Sequence, residues 1–426
     1  MMTRLVGFAI GAVIISTSLS ADDWPAFRGP TGNGISAEKA APTTWSADKN
    51  IKWKVALPQK CNGSPIVSNG HVFVSCPEDP QGKERSLYCF DRKDGKKLWV
   101  RTVSYAFGTD VDQVHPTNFH CSGTPAANGK VVLVWHNSAG LHAYDFEGKE
   151  LWKRDLGEFR HMWGHATSPV IHGEKVFLNS GPGKRVFFTA LSLADGKTLW
   201  ETGEPSATDD PDYNELKPKQ PKGSWSTPVF VKVDGKEQVL CTMPTRVVAY
   251  NPDDGKILWW CEGIRPSKGD LSYSSPVVAG DVLVAIGGYG GAAFGVKLGG
   301  GSGDVTASRQ LWRRPQNPQS IGSGVVVDGH AFIPFENQIE CMDPATGKAF
   351  WHDRGGKGGY WGSIVFAAGR LYLTDQSGAT VVFKPSAEKF ELLSRNELHE
   401  QSNSTPAISD GEIFIRTHKS LFCIAE

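Results

Sequence analysis

Four histidines fall close together in the chain, His115, His120, His161 and His165, with Asp110 and Asp112 just upstream of them. Neutral imidazole is a common transition-metal ligand, so these are residue types that could hold a metal. Their spacing does not support one. Five residues separate the first pair and four the second, and neither interval has a specific meaning on extended loops, so no metal ligand is assigned. Aromatic residues offer different chemistry. Trp225, Tyr273 and Trp361 could stack a flat or sugar-like molecule, with Trp163 and Tyr360 beside them and His120 and His165 supplying hydrogen bonds. The alternative, that these aromatics plug a channel for stability, stays open. No catalytic signature accompanies either group: G-x-S-x-G, a Walker loop, H-E-x-x-H and C-x-x-C are all missing. The glycine-rich stretches 287–291 and 299–303 read as loops.

The elements that must position these residues come from an internal repeat. Eight segments align on a strand start: NGSPI from 62, SGTPA from 122, ATSPV from 166, WSTPV from 225, YSSPV from 273, IGSGV from 321, WGSIV from 361 and NSTPA from 403. The third position is Ser or Thr in all eight. Pro fills the fourth in six, as the first residue of a strand tolerates. A Gly turn, an alternating strand, a third strand and a second Gly turn follow, then a fourth strand carrying Trp99, Trp152, Trp200, Trp259, Trp312 or Trp351. Tight Gly turns between short alternating runs are hairpin signals, so each unit is four antiparallel strands. Leu392 replaces Trp in the seventh unit. The eighth has no fourth strand of its own, but Ile51-Lys52-Trp53-Lys54 matches that motif ahead of the first unit. The reading is all-β: an eight-bladed β-propeller of four-stranded antiparallel blades, closed by an N-terminal strand. Residues 51–426 give 47 per unit, within the range of about 40–50 typical of blades. Residues 21–50 form an extended N-terminal arm.

Units such as SPIVSNGHVF … LYCFDRKDGKKLW and TPVFVKVDGKEQ … VVAYNPDDGKILW resemble the pyrroloquinoline quinone (PQQ)-like propeller repeat. That repeat is shared by PQQ-dependent dehydrogenases and by the propeller lipoprotein of the outer-membrane assembly machinery. The leading DWPAFRGP and the stretch 301–315 further resemble secreted PQQ-repeat proteins of planctomycete-like bacteria. In the quinoprotein dehydrogenases the cofactor lies on the axis against a Trp, beneath two adjacent disulfide-linked cysteines, with calcium held by carboxylates and amides and an Asp as base. Trp225 or Trp361 could imitate the stacking Trp. No two cysteines here are adjacent, and no strand-start slot carries Asp or Glu, so PQQ with calcium is disfavoured. The resemblance implies a binding or scaffold module in the cell envelope, with a PQQ-dependent oxidoreductase acting on alcohols or sugars as the alternative.

In a four-stranded meander the second-to-third connections and the passages between blades share one face. The long insertions fall there, at 77–85, 103–120, 157–166, 201–224, 262–273 and 353–361, making it the candidate working surface for a protein, peptide or glycan. The residue at the first position of each strand start should reach the ring centre on that face: Asn62, Ser122, Ala166, Trp225, Tyr273, Ile321, Trp361 and Asn403. The repeated hydroxyls one strand-turn deeper are expected to satisfy backbone groups where inner strands crowd together.

Composition and targeting signals bound the rest. Lys+Arg 45 balances Asp+Glu 45, which offers no field to attract nucleic acid. Residues 1–20 carry Arg4, an apolar stretch from Leu5 to Ile15 and a small-residue cleavage site, the pattern of a signal peptide. The mature protein is expected to be exported, periplasmic or extracellular, soluble, monomeric and without a transmembrane segment. Cys89, Cys341 and Cys423 share a small buried slot with Ala143, Ala190 and Ala249. Cys61 and Cys121 occupy one slot in successive units, which leaves a disulfide between them open.

Overall fold

The computed structural model describes residues 23–105, 115–204, 222–265 and 269–426. The signal sequence, Asp110, Asp112 and most of the 201–224 insertion lie outside the described residues.

Short runs of Val, Ile, Leu and Phe ended by Gly turns form the strands. In blade 1, Ile66–Ser68, His71–Pro77, Glu84–Asp91 and Lys97–Ser104 pair antiparallel in chain order. The turns explain the regular hairpins: Asn69-Gly70, Asp234-Gly235, Asp328-Gly329 and Asp410-Gly411 take positive φ at both residues, the backbone whose twist matches that of the flanking strands. Eight such sheets make an eight-bladed β-propeller. Blade 4 adds Gly303–Asp304 parallel to its outer strand, and a short parallel pair, Lys222–Ser224 with Asp270–Ser272, joins the passages into blades 4 and 5.

Blade 8 closes as its sequence requires. Ile51–Ala56 pairs antiparallel with Ser420–Ile424, with Trp53 opposite Cys423. Trp53 therefore supplies the tryptophan that the last blade lacks.

Each outer strand that carries a Trp has a bulge at the residue before it; in blade 7 the bulge falls at Leu393, so Ser394 and not Leu392 takes the Trp position. Cys89 faces Trp99 while Phe90 faces Lys97, so Leu98 has no partner, and the same skip recurs at Leu151 and Leu311. These bulged leucines are exposed. The extra residue turns the next side chain, so Trp99, Trp152, Trp200, Trp312 and Trp351 point into the neighbouring blade. There each indole N–H donates to a turn carbonyl, at Phe146, Leu193, Pro252, Pro344 and Ser386 respectively, at 2.8–3.2 Å. Trp53 does the same to Arg92, 2.8 Å away, tying blade 8 to blade 1. The residue paired with each Trp is Cys89, Ala143, Ala190, Ala249, Gly295, Cys341 or Cys423, all buried, and this is why that slot holds only small side chains.

Apolar clusters fill the wedges between blades, for example Phe73, Trp99, Val132 and Tyr144 between blades 1 and 2. The arm is part of this packing. Trp24 exchanges two backbone hydrogen bonds with Val67, Pro25 accepts from Ala127, and Phe366 is bonded through Gly34 and Ser36. The arm thus ties together the inner strands of blades 1, 2 and 7. Its Arg28 is buried and donates to the carbonyls of Asn33 and Gly324; burial pushes its pKa down to about 9, so it stays cationic at neutral pH.

Candidate functional site

Where the eight inner strands begin, they surround an axial cavity of about 290 Å³. Two rings of repeat residues line it. The outer ring is the first position of each strand start, and all eight of those side chains reach the cavity. The inner ring is the repeated hydroxyl. Ser64 N–H donates to Thr124, Thr124 to Ser168, Thr227 to Ser275, Ser275 to Ser323, Ser323 to Ser363, Ser363 to Thr405, and Thr405 back to Ser64, each at 2.9–3.1 Å. These bonds satisfy backbone groups where the strands are too crowded for water. Seven of the eight hydroxyls accept in this way, all but Thr227, and among the described residues none of the eight donates to a protein acceptor. Phe27 reaches the same cavity from the arm.

The walls differ from side to side. From blade 7 across blades 8, 1 and 2 an amide relay runs from Gln376 to Asn403, from Asn403 to Asn62, from Asn62 to Asn118, and from Asn118 to the Trp163 carbonyl, at 2.6–3.2 Å. On blades 3 to 5 the wall is aromatic. Trp225 lies 5.2 Å from Tyr273 at 68° and 6.3 Å from Trp163 at 43°, and Trp163 stacks on Tyr289 at 5.8 Å. The Trp225 indole N–H donates to Gly164 O at 3.0 Å, which fixes the ring. A Cβ on Gly288 would come within 2.7 Å of the Tyr273 ring, so only glycine allows that ring its place. Blades 6 and 7 add Gln319, Glu336 and Trp361. The Trp361 indole nitrogen is buried without a hydrogen-bond partner. Burial raises the Tyr273 hydroxyl above its ordinary range, with Tyr289 and then Glu336 adding to the effect, and it stays a neutral donor.

Of the residues expected at the funnel, Asn62, Trp163, Trp225, Tyr273, Trp361 and Asn403 line it. His120, His165 and Tyr360 do not. His165 and Tyr360 directly precede lining residues, and side chains alternate along extended backbone, so both turn inward to the blades. His165 Nε2 meets Phe159 O at 3.1 Å, and Tyr360 donates to Arg354 O at 2.7 Å. At Cys121 a positive φ of 60° breaks the alternation and sends His120 into the protein against Gly82. Burial holds these imidazoles neutral: His120 falls to about 4, where Arg85 adds to the effect, and His161 and His165 fall to about 3.

Of the four histidines only His115 lines the cavity, and among the described residues no group of three or more His, Cys, Asp or Glu is arranged to hold a metal ion. Cys61 and Cys121 stand as free thiols, not a disulfide. The Cys61 thiol donates to the Cys121 carbonyl at 2.9 Å, whereas the Cys121 sulfur faces His136 Nδ1 at 3.9 Å. The left-handed turn at Cys121 is what directs the two sulfurs to different partners.

Sequence reasoning missed Phe27, Asn118, Tyr289, Gln319 and Glu336. All lie in the arm or in non-repeating loops. The two glycines before Tyr289 were the available signal, since a backbone kept bare beside the axis has a neighbour to admit.

The family profile described as outer membrane protein assembly factor BamB matches residues 35–111, 83–353 and 335–425. The chain belongs to this PQQ-like repeat propeller family. Solved structures agree on the fold. BamB from Moraxella catarrhalis superposes with a TM-score of 0.58 at 14% identity, covering 88% of this chain and 96% of that one. Quinohemoprotein alcohol dehydrogenase from Comamonas testosteroni gives 0.63 at 15%, covering 94% and 80%. A europium-containing methanol dehydrogenase gives 0.65 at 11%, covering 96% and 98%. No curated protein matches the chain in sequence. Among the described residues no helix is long and apolar enough to cross a membrane.

PQQ is a tricarboxylate and needs cations around it. Glu336 is the one formally charged side chain among the described lining residues, and neither Lys nor Arg is among them. Calcium needs several oxygen ligands, usually with carboxylates among them, and the lining offers that single carboxylate. The described lining therefore supplies neither a cation for the cofactor nor a second carboxylate for its metal.

Proposed function

We propose that this propeller is an exported binding module of the cell envelope, working through its long-loop face and without redox chemistry of its own. The observation that carries the reading is the axial funnel: aromatic faces on one side, an amide relay on the other, and Glu336 as the single carboxylate among the described lining residues. A rigid pocket of this kind, close to the lower end of the ~300–1,000 Å³ range of small-molecule sites, suits recognition more than turnover. The family match to an assembly factor supports a binding role. Export rests on the signal-like first twenty residues, and mature protein beginning near Ala21 in the envelope fraction is the expected result. An uncleaved form held in the inner membrane would count against it.

The direct test exchanges Trp225 and Trp361 for Ala together. Loss of ligand or partner capture with an unchanged melting profile supports the funnel; loss of stability with capture intact favours the channel-plug role. Incubating the protein with PQQ and Ca²⁺ tests the dehydrogenase alternative, which requires both cofactor binding and dye-linked oxidation of alcohols or sugars.

A further inference from the structure

The two walls of the funnel and its floor ask for one kind of ligand. A parallel-sided slot would suit a flat aromatic molecule, but here the half-buried rings of the wall are tilted: 43° between Trp163 and Trp225 and 68° between Trp225 and Tyr273. Tilted faces suit a puckered ring that offers C–H groups on one side. Opposite them stand amide oxygens, each taking one hydrogen bond within the relay and keeping a lone pair. Below lies the hydroxyl ring, whose oxygens receive backbone N–H groups and whose own hydrogens are uncommitted.

A ligand that matches this has an apolar face, an edge of groups that both donate and accept, and no negative charge. Glu336 decides the last point. Its carboxylate makes no hydrogen bond or ion pair among the described residues, and no lysine or arginine there offsets it. It would repel an anion, and it can accept from two neighbouring hydroxyls at once. We infer that the funnel binds a neutral sugar ring, free or as the end of a glycan. The inference rests on the binding-module reading above and names its ligand class.

The experiment uses the full mature chain and follows tryptophan fluorescence and calorimetric heat. The probes are glucose, mannose, galactose and N-acetylglucosamine, with glucuronate and PQQ plus Ca²⁺ as charged counterparts. At least one neutral sugar is expected to bind, and Trp225→Ala to weaken it about tenfold or more. Glucuronate should bind about tenfold more weakly than glucose at low salt, and Glu336→Gln should narrow that gap while leaving the melting temperature unchanged. Glucuronate or PQQ binding tighter than every neutral sugar overturns the assignment and leaves the module reading standing. So does sugar binding that neither substitution alters, since the site would then be elsewhere. No response to any probe also overturns it, and the module reading is then judged separately by partner capture with the Trp225/Trp361 double variant.

Discussion

The rim and the axis of this propeller are built from the same repeat, yet they leave their polar groups in opposite conditions. At the rim, the indoles of Trp53, Trp99, Trp152, Trp200, Trp312 and Trp351 donate to the next blade, so the repeat is chemically complete there. At the axis, the hydroxyl ring serves the backbone but keeps its own hydrogens, and among the described residues the Trp361 indole and the Glu336 carboxylate have no partners. A repeat residue whose hydrogen bonding closes within the protein is structural. Function is to be sought where the repeat stops supplying partners.

The largest expected effect tests the rim. Deleting residues 21–56 removes the closing strand, the docked Trp53 and the arm, so loss of the cooperative thermal transition is expected by circular dichroism. A retained transition near the parent temperature would mean that the ring does not depend on its closure.

Acid should distinguish the two regions next. His161 and His165 lie beneath the aromatic wall with folded pKa values of about 3, against about 6.5 when unfolded. Between those values the unfolded chain takes up protons that the folded one refuses. Stability is therefore full above about pH 6.5 and falls as the pH drops toward 3, by about 1.4 kcal/mol per pH unit for each histidine. Denaturant melts at pH 7 and 5 measure the slope, and replacing both histidines by Gln should reduce it, leaving the part due to His120, His136 and His418, which burial also holds below the ordinary imidazole range.

Ser323→Ala should cost about 1–3 kcal/mol in the same assay, because the buried N–H of Ser275 loses its acceptor. The smallest effect gives the sharpest contrast. Trp152→Phe removes a made hydrogen bond and is expected to cost about 0.5–1.5 kcal/mol, whereas Trp361→Phe removes an unmade one and should stay within about 0.5 kcal/mol. Equal costs would erase the distinction between rim and axis.

The fold was legible because its determinants recur. Eight strand starts, the small slot opposite each Trp and the displaced closing strand all announce themselves by position. The outer ring of the cavity was legible for the same reason, since one slot repeated eight times must face one place. The rest of the site was not. Glu336 and Tyr289 lie in loops with no counterpart in other blades, and His165 and Tyr360 were misplaced by a single step along an extended chain. One residue of offset reverses a side chain's direction, and sequence neighbours of a lining residue are therefore poor guides to the lining. The bulge before each Trp was also hidden, because an extra outer-strand residue leaves the alternation of the inner strands untouched.

The strand that closes the ring has a bearing on when the molecule can finish folding. Trp53 and Cys423 pair although 370 residues separate them in sequence. The first strand to leave the ribosome must therefore wait, with one edge open, until nearly the last has been made. During that interval blades 1 to 7 can fold on their neighbours, but the circle remains a crescent with two unpaired ends. Such a chain can complete its ring only once Ser420–Ile424 has been made and has met the waiting strand.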